Sequence, residues 1–174
     1  MNHHALIAIA PLLDAKRFGN PEWERPGRDS YWGNSLKLLP GEVALLVDHD
    51  DERQIGVVRA LYELAWTDGR WVVADAVVTD PPSWLRKGTP ASLSRYNTHV
   101  TRSAEGAERV TSAFVNEVSV LPPGVKPAEP RAQVVHLEAE PIAHRHQPEP
   151  EGEVIYGNGQ LIRRYYDNVK ITIR

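Results

Sequence analysis

Apolar residues come in short runs broken by turn-forming residues, and most runs have the length of a β-strand. Ala5–Ala10 reads as a first strand. Residues 14–35 are polar and hold Gly19, Pro21, Pro26, Gly27 and Gly33, which predicts a long loop. Glu42–Asp48 reads as a buried strand ending at His49. Gln54–Ala65 alternates only in part, but its β-branched residues favour strand over helix. Asp68-Gly69 is a hairpin signal leading into a further strand, Trp71–Val78, so residues 55–78 read as an antiparallel hairpin. Asp80-Pro81-Pro82-Ser83 sets up a helix start, with Ser83 capping a short helix over Trp84–Lys87 that Gly88-Thr89-Pro90 ends. The strand-like Ala91–Asn97 follows, residues 103–109 read as a loop, and Ala113–Leu121 reads as a strand.

Beyond residue 121 the pattern changes. The stretch from Pro122 to Pro150 holds seven of the 14 prolines and reads as a linker or extended arm, with a short strand at Gln133–Leu137. Strand character returns at Val154–Tyr156, Gln160–Tyr166 and Lys170–Arg174, around the tight-turn signature Gly157-Asn158-Gly159. The expected organisation is a β-barrel core over 1–121, a Pro-rich arm over 122–152 and a C-terminal hairpin segment over 153–174. Many short strands without a βαβ rhythm argue for a mainly β protein.

Composition narrows the chemistry. The chain has 174 residues, 41% hydrophobic and 25% charged, which suits one globular domain plus a tail. Its net charge of −3 argues against a specific nucleic-acid partner. Without cysteine there is no disulfide, no thiolate zinc site and no cysteine nucleophile. No run approaches the roughly 18 apolar residues of a membrane helix, so a cytoplasmic chain with no membrane partner is expected. His144 and His146 lie near Glu149 and Glu151, but in a Pro-rich stretch that offers no preorganised site. No metal and no other cofactor is therefore expected.

His49 stands at a strand end beside Asp50-Asp51-Glu52, a placement suited to a general base near neutral pH. Ser92 and Ser94 are candidate nucleophiles; either needs a base, because a serine hydroxyl barely ionises on its own. Backbone amides at Leu93, Ser94 and Arg95 are placed to hold an oxyanion, with Arg95 or Arg102 lending charge. Glu117 sits mid-strand among valines, where a carboxylate needs a partner; orienting a histidine would satisfy it.

The order of these residues adds to what each implies alone. VALLVDHDDERQIGVVRAL, then DGRWVVADAVV, then WLRKGTPASLS, then FVNEVSVLPPGVKPAEPRAQVV resembles the prohead (capsid-maturation) serine proteases of tailed phages over roughly residues 40–135. The resemblance implies a fold like that of herpesvirus assemblins: a closed antiparallel β-barrel of about seven strands with a few short flanking helices. It implies an endopeptidase that acts inside the immature prohead in the host cytoplasm. Scaffold and major capsid protein segments, and the protease itself, would be its substrates, and a homo-oligomer is compatible with it. By position, His49 becomes the base and Glu117 the third member. Ser92 becomes the nucleophile, with Ser94 as alternative; His99 is the alternative third member, since assemblin-type sites use a second histidine. The family commonly has Ser, an apolar residue, Gly and an aromatic where this chain has Ser92-Leu93-Ser94-Arg95-Tyr96. Two further readings therefore stand beside it: a catalytically inactive assembly module on the same fold, and an unrelated small β-barrel virion structural protein.

Overall fold

The computed structural model describes residues 1–66 and 69–139, together with two strands further along the chain. The strands are β1 (His3–Pro11), β2 (Asp29–Tyr31), β3 (Leu36–Leu38), β4 (Val43–Val47), β5 (Asp50–Trp66), β6 (Gly69–Val78), β7 (Ala91–Arg102), β8 (Glu108–Val120), β9 (Gln133–Ala139), β10 (Val154–Gly157) and β11 (Gln160–Arg163). The protein is mainly β, as its patterning predicts. No helix occurs among the described residues.

Nine strands form one curled sheet in the order β2-β8-β4-β5-β6-β1-β9, with β3 and β7 also on β8; β10 and β11 pair separately. Strand β8 organises the region around His49 and Glu117. One of its edges carries β7, antiparallel along its length. The other is shared by β2, β3 and β4 in succession, all parallel to β8. The sheet is thus mixed, which corrects the expectation of an antiparallel one. Strand patterning shows which residues alternate, but not which distant strand lies beside them.

The sheet curls into a half-barrel around an apolar inner face that includes Ile7, Val43, Leu45, Val47, Val78, Val115, Val118 and Val120. Its far ends approach one another at an isolated bridge between Pro90 and Gln133. Flanking bonds there run from the Ala91 amide to the Ala132 carbonyl (3.0 Å) and from the Val134 amide to the Thr89 carbonyl (2.8 Å). The expected Gln133–Leu137 strand is present as β9, paired antiparallel with β1.

The hairpin predicted over residues 55–78 is β5–β6. Its last pair joins Trp66 to Gly69, and the connecting residues 67–68 lie outside the described set. Gly56 lies in the Ile-Gly-Val part of the string VALLVDHDDERQIGVVRAL. A β-carbon there would stand 2.0 Å from the Val77 carbonyl oxygen, so only glycine lets β5 and β6 approach this closely.

Two further expectations are corrected. Trp84–Lys87 is a pair of turns, not a helix. The Leu85 amide bonds the Pro82 carbonyl (2.9 Å) and the Thr89 hydroxyl accepts the Arg86 amide (3.0 Å). So short a segment cannot repay helix nucleation, and side-chain and turn bonds satisfy its amides instead. The loop expected over 14–35 contains β2, whose pairing with β8 is set by residues far along the chain. His144, His146 and Lys170–Arg174 lie outside the described residues.

Candidate active site

His49 owes its position to a strained turn. Val47 pairs with Asp50, leaving Asp48 and His49 as a two-residue connection between β4 and β5. Both have positive φ, 53° and 59°. That pair of left-handed residues matches the twist of a tight hairpin, but at non-glycine residues each costs roughly 1 kcal/mol. The turn is held against β8: the Asp48 amide donates to the Val120 carbonyl (3.0 Å) and the His49 amide to the Ser119 hydroxyl oxygen (2.9 Å). The imidazole remains 41% exposed, open to an incoming group.

Glu117 reaches the same place through an irregularity in β8. Ser94 pairs with Glu117, whereas the next residue, Arg95, pairs with Val115, so Asn116 is unmatched. One extra residue reverses the alternation of sides. Val115 faces the core before it and Val118 and Val120 face the core after it, which leaves Glu117 and Ser119 on the outer face. The Glu117 side chain is 11% exposed, and its Oε1 is bonded to His49 Nδ1. Its Oε2 accepts the Ser119 hydroxyl at 2.7 Å. A buried carboxylate in an apolar strand is thereby fully partnered.

The candidate nucleophiles lie on the adjoining strand. In β7, Ser94 is directly opposite Glu117 and Ser92 directly opposite Ser119. Residues paired across antiparallel strands share a face, so both serines stand on the outer face with the histidine–glutamate pair. Both are half-buried. His49 and Glu117 are thus in direct contact, with Ser92 and Ser94 beside them by register.

Other predicted residues lie elsewhere. His99 is on the exposed end of β7, opposite Ser112. It lies five residues beyond Ser94, against a different stretch of β8 from Glu117, and so stands apart from the His49–Glu117 pair. The loop-like pattern around it concealed how far β7 continues. Leu93 turns inward and packs against the core. The Arg95 guanidinium bonds Asp29 (3.3 Å) and stacks 5.6 Å from the Tyr31 ring centroid. It therefore adds no charge on the histidine side. Arg102 pairs with Glu108 at 3.2 Å, far along the same strand.

Beside β7, a cavity of about 130 Å³ is lined by Asp29, Tyr31, Ser92, Leu93, Arg95 and Glu129 among others. Burial pushes the Asp29 and Glu129 carboxyls above the ordinary range and the Tyr31 hydroxyl up to about 12. Ser119 was not singled out from the sequence. The available signal was its spacing: two residues after Glu117 in a strand puts it on the same face.

Fold and site together define a class: a mainly β protein with a histidine–glutamate pair beside two serines on the outer face of a curled sheet. No protein-family model matches the chain, and no curated protein matches it.

Proposed function

We propose that this protein is a serine endopeptidase of the prohead-maturation type, with His49 as base and Glu117 orienting it. The observation that carries the reading is the bond between His49 Nδ1 and Glu117 Oε1 on the face that Ser92 and Ser94 share. The carboxylate holds the imidazole proton on Nδ1, leaving the Nε2 lone pair to accept a proton. In this reading Ser92 is the nucleophile and Ser94 the alternative. The serine hydroxyl attacks the scissile carbonyl as its proton passes to His49 Nε2, and backbone amides of residues 93–95 hold the oxyanion. His49 then protonates the leaving amine, and water hydrolyses the acyl-enzyme. The substrates are scaffold and capsid-protein segments, and the chain itself, inside the immature prohead. The same reading makes the Pro90–Gln133 bridge the seam where an assemblin-like barrel closes.

The test is labelling by a fluorophosphonate, combined with co-expression beside candidate capsid and scaffold proteins and intact-mass analysis. His49→Ala and Ser92→Ala are expected to abolish labelling and cleavage while the fold persists. Glu117→Gln is expected to slow both by roughly 10²–10⁴-fold. Loss in Ser94→Ala with normal labelling in Ser92→Ala moves the nucleophile to Ser94. A wild-type protein that neither labels nor cleaves makes the chain an inactive assembly module or a virion structural protein.

A further inference from the structure

Ser119 is fully buried, at 0% exposure, and so is out of reach of a substrate. Its hydroxyl oxygen nevertheless sits at the junction of the site. It accepts the His49 backbone amide at 2.9 Å and lies 2.7 Å from Glu117 Oε2. These two contacts fix the direction of the network. A hydroxyl has one proton; with the amide donating to its oxygen, that proton is directed to the carboxylate. Oε2 is thus an acceptor, and Oε1 is left to accept from the imidazole. Because a carboxylate only accepts, the proton in the bond to Oε1 is the imidazole's own, carried on Nδ1. The same hydroxyl also ties down the backbone of a residue held at φ 59°.

We infer that Ser119 is a positioning residue, which sets the His49 tautomer by orienting Glu117 and clamping the left-handed turn that carries the imidazole. This rests on the protease reading for its consequence in catalysis, but not for its structural content. Without the hydroxyl, Glu117 Oε2 and the His49 amide each lose their partner in a buried setting. The carboxylate is then free to rotate, and the imidazole exchanges between tautomers.

The experiment has two readouts on wild type, Ser119→Ala and Ser119→Thr. Long-range ¹H–¹⁵N NMR of the His49 imidazole reports the tautomer whether or not the protein is an enzyme. The pH profile of fluorophosphonate labelling reports the base. Wild type is expected to show the Nδ1–H tautomer. Ser119→Ala should show a mixture, a displaced pH profile and labelling about 10–100-fold slower. Ser119→Thr, which keeps the hydroxyl, should restore the tautomer and most of the rate. If Ser119→Ala does not fold, Ser119→Cys keeps the volume with a much weaker donor and should also show mixed tautomers. An unchanged imidazole spectrum in the Ala or Cys variant overturns the inference. A wild type that is never labelled but has a Ser119-dependent tautomer upholds the positioning role and rejects the protease reading alone.

Discussion

At the scale of single residues, the informative feature is where the backbone is strained. Asp48 and His49 occupy the two turn positions best filled by Asn and Gly, yet neither is glycine. Strain of this kind persists where the side chain is needed. At Asp48 nothing in the site depends on the side chain, so the strain there is removable. Asp48→Gly is expected to raise unfolding stability by roughly 0.5–1 kcal/mol in urea titration while leaving fluorophosphonate labelling within a few-fold. A loss of stability would show that Asp48 makes a contribution beyond the turn. The histidine was legible in the sequence as a residue at a strand end beside carboxylates. Its positive φ was not, because the string Val-Asp-His-Asp lacks the Asn-Gly signature that announces such a turn.

At the scale of elements, the site is made by irregularities in otherwise regular strands. The unmatched Asn116 turns Glu117 outward, and the Val47–Asp50 pair shortens the β4–β5 connection to the two residues that present His49. Gly56 supports the same hairpin from behind by allowing β5 to press on the Val77 backbone. Gly56→Ala would drive a methyl group into that carbonyl, with no flexible side chain able to yield. It is expected to cost 2 kcal/mol or more, or to prevent folding, as read by chemical denaturation. A near-neutral effect would mean that the two strands can separate locally. Apolar runs and β-branched residues announced β4, β5, β6 and β8. They did not announce the shift at Asn116, because an inserted residue leaves the composition of a strand unchanged.

At the scale of the molecule, the 14–28 segment is bound to the sheet by a buried arginine, Arg17, and a partly buried one, Arg109. Arg17, at 0% exposure, donates to the Leu12 carbonyl (2.7 Å) and lies between the Trp23 and Trp71 rings. Arg109 on β8 bonds both Glu24 carboxylate oxygens at 2.7 Å, holding that carboxyl below the ordinary glutamate range. A carboxyl with a lowered folded-state pKa stabilises the protein above its unfolded value, and that stability is lost as pH falls through the folded value. Glu24→Gln is therefore expected to lower the melting temperature at pH 7. The gap from wild type should close as pH drops below about 4. A gap that stays constant across that range would show that Glu24 acts through shape and not charge. Asp29 and Glu129 have the opposite sign, since burial raises them; their ionisation weakens the fold as pH rises through the interval between unfolded and folded values.

Local rules settled the β class of this protein, most strand positions, the absence of cysteine chemistry and the residue types able to form a base, a nucleophile and a partner carboxylate. Those properties depend on composition and on the two-residue period, which neighbouring residues alone can express. The parallel placement of β2, β3 and β4 on β8, the outward turn of Glu117 and the junction at Ser119 were decided only by tertiary structure. Each depends on register between strands distant in the chain, and a shift of one residue exchanges the buried and exposed faces.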